Sequence, residues 1–186
     1  KAFKDNVSIK SCLSYTFSVS NSQGASLIKD RPFTAEMTRS IMLLKEKPYR
    51  PRMADYRIGV FFTGREQLGE GAKTTAPVYY ANRWDIQPSD TAAYLRGEKV
   101  KPTKQIVFYI DNTFPEKWKP YLREGVTQWN ELFEQIGFKD VVAAKDFPTD
   151  DPEFDPDNIK YSCVRYAPSS IENAMGPSWV DPRSGE

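Results

Sequence analysis

Residues 104–138, KQIVFYIDNTFPEKWKPYLREGVTQWNELFEQIGF, are the stretch that decides the fold of this chain. The apolar run at residues 105–110 is rich in β-branched and aromatic residues, which is typical of a central strand. Thr113 and Glu116 have the spacing of a capping box, while Pro120 favours a regular helix that begins only at the proline. The stretch therefore predicts a buried strand that runs into a long helix.

The predicted helix carries one apolar stripe. Residues at helical spacing form it: Trp118, Leu122, Gly125, Trp129, Leu132, Phe133 and Ile136. Gly137 follows at the position where a left-handed residue commonly closes a helix. We expect the stripe, including its tryptophans, to support a sheet as part of the core.

The chain before this unit predicts a β-rich region. Residues 13–19 alternate apolar and polar side chains, and the turn at residues 21–24 would let residues 25–28 pair back as a hairpin. Residues 34–44 fit either a strand or a helix, and we favour the strand. The other expected elements are strands at 57–63 and 78–84, an exposed loop at 64–77, and a short turn or helix at 92–95.

The polar segment at residues 96–104 contains glycine and proline and is the best candidate for a domain boundary. We predict an α+β fold, with a β-rich antiparallel N-terminal region over residues 1–100 and a strand–long helix–strands unit over residues 104–186. Strands are expected after the helix at 141–144 and 159–166, with an extended segment at 174–180. Pro177 lacks an amide proton and favours an edge position for that segment.

The composition limits the functions of the chain. Its 186 residues are 39% hydrophobic and 27% charged, as in ordinary soluble globular proteins. No apolar run approaches the roughly 20 residues of a transmembrane helix, and no signal peptide is visible. Residues 1–104 carry 18 Lys and Arg against 10 Asp and Glu. These cations are scattered outside any known nucleic-acid-binding module, so a nucleic-acid partner is not expected.

Histidine is absent from the chain. Its absence excludes a Ser-His-Asp or Cys-His arrangement, and also the common histidine-based catalytic zinc site, within these residues. A histidine-free hydrolase with paired carboxylates stays open, with Asp111 after a strand end as its positional candidate. The position of Asp111 is more typical of a turn residue that ends a strand than of a catalytic carboxylate.

Cys12 and Cys163 fit either two buried free thiols or a disulfide that joins the two halves.

Residues 146–158, DFPTDDPEFDPDN, hold six acidic residues and three prolines. The composition predicts a solvated, rigid surface loop. Asp151, Glu153, Asp155 and Asp157 offer hard oxygen ligands, so a calcium site is the alternative. The EF-hand pattern is not met, because no glycine occupies its turn.

Several short stretches, in order, resemble a family of large bacterial zinc-dependent metalloproteases with a metzincin-like catalytic domain. They are MADYRIGVF (53–61), NRW (82–84), IVFYID (106–111), WNELFEQIGF (129–138), DPDNIKYS (155–162) and AMGPSWVDPRSGE (174–186). The resemblance implies that residues 1–100 precede the catalytic domain. Residues 104–186 would then be its first half, truncated before the HExxH helix.

The resemblance also implies a function. The parent protein would be a zinc endopeptidase, secreted or located in the cell envelope or periplasm, and this chain its non-catalytic N-terminal portion. Zinc is expected in the parent and not in this chain, so no catalytic residue and no metal ligand is assigned here. The implied partners are a peptide or protein substrate and the remainder of the catalytic domain. A non-enzymatic binding or assembly module is the alternative function.

One functional role is expected inside the chain. In metzincin-like folds the edge strand before the zinc helix pairs with extended substrate through its backbone. The resemblance thereby implies substrate binding by Ala174, Met175, Gly176, Pro177 and Ser178; an ordinary edge strand or loop is the alternative.

The chain stops within the turn signature at residues 181–186, and we expect it to be a fragment of a longer protein.

Overall fold

The computed structural model describes residues 1–69, 71, 73–170 and 172–186. It is a mixed α+β structure whose described part has three small sheets and three short helices. The elements are β1 (Asn6–Ser20), β2 (Ser26–Met42), β3 (Phe62–Leu68), β4 (Thr75–Ala81), α1 (Thr91–Leu95), β5 (Ile106–Ile110), α2 (Lys119–Thr127), α3 (Asn130–Gln135), β6 (Val142–Asp146) and β7 (Ser162–Val164). None of the helices in the described ranges is long and apolar enough to cross a membrane.

The chain divides into two compact units. Unit 1 consists of Lys1–Leu43 and Pro148–Tyr161, and unit 2 of Leu44–Phe147 and Ser162–Glu186. The segment at residues 96–104 therefore lies inside unit 2, where Val100 forms a parallel bridge with Phe138. The division of the parent protein into domains at residues 1–100 and 104–186 stays a prediction.

Unit 1 is built on a long antiparallel hairpin of β1 and β2. The two strands pair from Asn6 opposite Met42 to Ser20 opposite Ser26, so the predicted hairpin and the preference for a strand at residues 34–44 are confirmed. The Asn21 side chain closes the turn by accepting hydrogen bonds from the amides of Gln23 (3.0 Å) and Ala25 (2.8 Å). This turn geometry sets the register of the whole hairpin.

The acidic segment packs against the open end of that hairpin. The Asn6 side-chain amide donates to Asn158 Oδ1 at 2.7 Å, and both residues are buried. Lys1 Nζ lies 2.9 Å from an Asp155 carboxylate oxygen and 3.1 Å from one of Asp157. The predicted acidic loop is therefore tied to the hairpin at two points.

The first sheet of unit 2 pairs β3 with β4, from Phe62 opposite Ala81 to Leu68 opposite Thr75. The predicted strand at 57–63 is wrong over most of its length. Asp55 accepts hydrogen bonds from the amide and guanidinium of Arg57, and this local turn takes that amide out of any strand ladder. The predicted loop at 64–77 is also largely wrong, since both flanks belong to strands; residues 70 and 72 of that prediction lie outside the described residues.

The second sheet of unit 2 is parallel. β5 is its central strand, with β6 on one side and β7 on the other. The expected strands at 105–110 and 141–144 are confirmed. The strand expected at 159–166 is reduced to Ser162–Val164, because Tyr161 closes a turn in which its amide donates to the carbonyl of Asn158.

The connection from β5 to β6 is helical but interrupted. The predicted long helix is two short ones, α2 and α3, and the predicted capping box is wrong. Thr113 donates to Asp111, and Glu116 pairs with Lys119 at 2.6 Å instead of capping the helix. Pro120 lies in the first turn of α2, as expected. Gly137, with φ of 86°, confirms the predicted left-handed closure.

The predicted apolar stripe is buried only in part. Trp118, Trp129, Leu132 and Ile136 are 43%, 60%, 53% and 57% exposed, so the prediction that they belong to the core is wrong. Asn130, the first residue of α3, turns toward the sheet: its Oδ1 accepts from the amides of Val141 and Val142 at 2.8 Å, and its Nδ2 donates to the carbonyl of Val142 at 2.9 Å. Since Trp129 immediately precedes Asn130, this clamp directs the tryptophan away from the core.

The core of unit 2 lies between the helices and the parallel sheet. Its buried residues come from α1, β5, β6 and the segments beside them: Ala93, Val100, Ile106, Phe138, Val141 and Val142. The short helix expected at 92–95 is confirmed as α1, and the side chain of Asp90 caps it by accepting from the amide of Ala93 at 2.9 Å.

Candidate functional site

The predicted substrate-binding segment, residues 174–178, is exposed on unit 2 and lies outside the described strands. The segment expected to be extended at 174–180 forms no strand in the described part of the chain, which agrees with the loop alternative. Pro177 has no amide proton, and the amides of Met175, Gly176 and Ser178 make no hydrogen bond to the described residues. Amides of this kind can pair with an extended peptide. Substrate binding by Ala174, Met175, Gly176, Pro177 and Ser178 stays a prediction.

A tight polar turn, here called the C-terminal turn (residues 181–186), follows this segment. The amide of Gly185 donates to the carbonyl of Asp181, and the amide of Asp181 donates to the carbonyl of Glu186, each at 2.8 Å. The Asp181 carboxylate accepts from the amide of Arg183 at 2.9 Å and from its guanidinium at 2.7 Å. Asp181 is 7% exposed and Ser184 is fully buried. The turn predicted here is confirmed.

The C-terminal turn is bonded to the end of β4 and to the first residues of unit 2. The amide of Arg83 donates to the carbonyl of Gly185 at 2.8 Å. The Arg183 guanidinium donates to the carbonyl of Lys45 at 2.6 Å, and Lys45 forms an ion pair with Glu186. Three segments distant in sequence therefore meet at one place.

Arg83 ties a further segment to the same place. Its guanidinium lies over the Tyr49 ring, 4.0 Å from the centroid, and donates to the Tyr49 hydroxyl at 2.5 Å and to the carbonyl of Arg50. A cation over an aromatic face that also makes hydrogen bonds is a strong local contact. Arg83 belongs to the NRW stretch, but its position in sequence does not reveal Tyr49 as its partner.

The Asp181–Arg183 pair makes the stability of unit 2 depend on pH. Hydrogen bonds from Arg183 hold the pKa of Asp181 below its usual value and outweigh the burial that would raise it. A depressed folded-state pKa means that the stabilisation is present above the unfolded pKa of about 3.9 and is lost as pH falls through the folded pKa.

We therefore expect Asp181→Asn to have a lower melting temperature than the wild type at pH 7, and the difference to shrink below about pH 4. Thermal melts at pH 7, 5 and 3 would measure it. The control is Asp55→Asn, because Asp55 makes the same kind of pair with Arg57 on the surface. A difference for Asp181→Asn that stays constant down to pH 3 would contradict this account.

Asp111, the candidate for carboxylate catalysis, lies at the carboxyl end of β5. Its Oδ1 accepts from the Thr113 amide at 2.9 Å and from the Thr113 hydroxyl at 2.8 Å. Burial acts to raise the pKa of Asp111, but the hydrogen bonds from Thr113 and the Tyr166 amide, with the charge of Arg165, leave it below its usual value. These bonds favour the interpretation of Asp111 as a strand-ending turn residue.

The acidic segment is paired with the side chain of Lys1 at the N-terminus. Lys1 pairs with both Asp155 and Asp157, and the side chain of Asp155 also accepts from the amide of Asp157 at 2.8 Å. Asp151 likewise accepts from the amide of Glu153. Within the described ranges no group of three or more His, Cys, Asp or Glu side chains is arranged to hold a metal ion. Calcium binding at residues 146–158 stays a prediction.

The two cysteines are thiols in different environments. Cys12 is exposed on β1, so its predicted burial is wrong. Both cysteines are free, so the alternative prediction of a disulfide between them is also wrong. Cys163 is half-buried in β7, and burial raises the pKa of its thiol to about 11.

We expect a thiol reagent at pH 8 to modify Cys12 at least about tenfold faster than Cys163, because the thiolate is the reacting form. A time course analysed by mass spectrometry of the two labelled peptides would measure both rates. Labelling in concentrated urea is the control and should bring the rates together. Equal rates in the folded protein would refute the prediction.

A family model described as "Domain of unknown function (DUF5117)" matches residues 1–89, slightly under half of the chain. The matched range contains β1 to β4 and ends before the segment at residues 96–104. No curated protein matches the chain. No solved structure matches it.

Proposed function

We propose that this chain is the non-catalytic N-terminal portion of a bacterial zinc-dependent endopeptidase, and that the zinc-binding HExxH helix follows Glu186 in the parent protein. The observation that supports the proposal is the unit made of β5, α2, α3, β6 and β7. A strand, a helical connection and further strands are the order of elements that the sequence resemblance implies, although the helix is broken in two. The same proposal places the parent in the cell envelope, the periplasm or the extracellular space.

In this proposal the chain contributes position and backbone pairing. The C-terminal turn is held by Arg83 and Lys45, so it fixes the direction in which the chain leaves unit 2. The amides of Met175, Gly176 and Ser178 would pair with an extended substrate just before that turn. In the parent, histidines that this chain does not contain would hold the zinc ion. The chemistry that such an ion supplies is activation of water and polarisation of the scissile carbonyl.

The proposal is tested first on the parent protein. We expect the parent to contain HExxH beyond Glu186, to bind zinc, and to cleave a quenched fluorescent peptide. This chain alone should bind no zinc in stoichiometric amount and cleave nothing. A parent without HExxH, or a zinc-loaded active form of this chain, would refute the proposal.

The substrate-binding segment is tested in the same active parent. Met175→Pro removes a backbone donor, and we expect it to lower kcat/KM by about tenfold with the zinc content unchanged. Met175→Ala is the matched control, because it removes the exposed side chain but keeps the amide, and it should leave kcat/KM almost unchanged. Equal losses in the two variants would contradict backbone pairing.

A further inference from the structure

One face of the β1–β2 hairpin is apolar and exposed in the described part of the chain; we call it the apolar hairpin face. It is formed by alternate residues that include Val7, Ile9, Tyr15, Phe17, Phe33 and Ile41, each between 40% and 61% exposed. Tyr15 stacks on Phe33 at 5.4 Å, and Phe17 meets the same ring edge-on at 5.5 Å, so the three rings form one cluster. An uncovered apolar surface of this extent is typical of an interaction site.

The opposite face of the hairpin is polar; its open end carries the buried Asn6 beside the acidic segment, and from Lys10 to the turn it is exposed. Ser14 and Thr34 share a hydrogen bond of 3.1 Å, and Lys10 forms an ion pair with Glu36 at 2.8 Å. A two-stranded ribbon cannot bury one of its own faces, and such ribbons are marginally stable by themselves. The separation of apolar and polar side chains onto opposite faces therefore indicates that a binding partner covers the apolar hairpin face.

The apolar hairpin face also carries positive charge. Arg31 lies opposite Phe17 and Arg39 opposite Ile9, and directly opposed residues share one face of a sheet. Both arginines are exposed, and neither forms an ion pair with a described residue. Glu36, by contrast, lies opposite Cys12 on the polar face. The face thus combines apolar side chains with two cations and no described carboxylate.

Three kinds of occupant could cover this face: a second copy of this chain, an anionic membrane and a partner protein. The charges of the hairpin disfavour the first two. A second copy of this chain would bring four arginines into an apolar interface without a carboxylate, which is energetically costly. An anionic membrane would meet a unit that has no excess of cations, since unit 1 carries eight Asp and Glu against seven Lys and Arg. A partner protein that supplies its own carboxylates avoids both penalties.

The geometry sets the spacing of those carboxylates. Arg31 and Arg39 are eight residues apart on one strand, which corresponds to about 27 Å. Five turns of an α-helix, about 18 residues, span the same distance and return to the same helix face. Two adjacent strands present a strip roughly as wide as one helix.

We propose that the apolar hairpin face binds an amphipathic helix of a partner protein, with an apolar stripe and two carboxylates about 27 Å apart that pair with Arg31 and Arg39. The apolar hairpin face consists only of residues of unit 1, so this binding does not depend on a peptidase activity of the parent protein.

The probe is a synthetic helical peptide of about 22 residues, with a leucine stripe and glutamates about 18 residues apart on that stripe. A matched peptide carries lysines at the two glutamate positions. We expect fluorescence anisotropy with this chain to show at least about tenfold tighter binding of the glutamate peptide. The double variant Arg31→Glu/Arg39→Glu should reverse the preference.

The control variant, Thr16→Glu/Thr38→Glu, puts two negative charges on the polar face and should keep the original preference. Circular dichroism would check that each variant keeps its strand content. Equal affinity for the two peptides, or no binding of either up to about 100 μM, would overturn the inference. A stable dimer in sedimentation velocity, or capture by phosphatidylglycerol vesicles without a preference for the glutamate peptide, would overturn it as well.

Discussion

Gly185→Ala is expected to destabilise unit 2 by about 3 kcal/mol. Gly185 has a φ of 76°, a conformation that costs a residue with a side chain about 1–2 kcal/mol. An added Cβ would also lie 2.5 Å from the carbonyl oxygen of Ala81. This carbonyl cannot give way as a flexible side chain does, because the amide of the same peptide group, that of Asn82, is bonded to the carbonyl of Phe61 at 2.8 Å.

Urea unfolding followed by tryptophan fluorescence measures this effect, since all four tryptophans belong to unit 2. Gly97→Ala is the matched control. Gly97 has a φ of 86°, but an added Cβ would meet nothing within 4 Å, so only the conformational cost of about 1 kcal/mol is expected. Equal destabilisation by the two variants would show that the contact with Ala81 has no energetic role.

The second large effect is expected for Ile110→Ala, with a loss of about 2–5 kcal/mol. Ile110 ends the central strand of the parallel sheet and is fully buried. The register places Asp146 of β6 and Val164 of β7 on either side of Ile110, so the substitution leaves a cavity within the buried part of the sheet. The surrounding strands are hydrogen-bonded to β5 and cannot collapse freely into the cavity.

Ile110→Val should give an intermediate loss of about 0.5–1.5 kcal/mol, because it deletes one methylene group. Ile136→Ala is the control for the same substitution at an exposed site and should cost less than about 1 kcal/mol. The same fluorescence-detected urea titration applies to all three variants. A loss below about 1 kcal/mol for Ile110→Ala would contradict its place in the core.

The elements best predicted from sequence are those with local causes. Asn21 and Gly24 specify a turn by their own chemistry, and the alternation around it specifies which residues of the hairpin share a face. Gly137 ends its helix as predicted for the same reason. The wrong predictions at residues 57–63 and 113–116 also have local causes: the side chains of Asp55 and Asp111 accept hydrogen bonds from amides two residues further along the chain, and these bonds compete with a strand or a helix cap.

The candidate site was predictable only in part. The turn signature at residues 181–186 is visible in sequence, but its partners Lys45, Ala81 and Arg83 are distant in the chain. An edge strand at residues 174–178 would need a pairing partner, and the described chain provides none. The signal that could have indicated the docking of the turn is Gly185 itself, since glycine commonly marks a close backbone approach.

By itself the sequence determined the hairpin, the central strand, the helical connection and the absence of histidine, because composition, alternation and turn chemistry act within a few residues. Only the tertiary structure decided which helix face is buried, where Asn130 rather than Trp129 meets the sheet. It also decided that Lys1 pairs with Asp155 and Asp157 of the acidic segment, and that Arg83, Tyr49 and the C-terminal turn converge. Those outcomes depend on contacts between residues far apart in the chain, which no local pattern specifies.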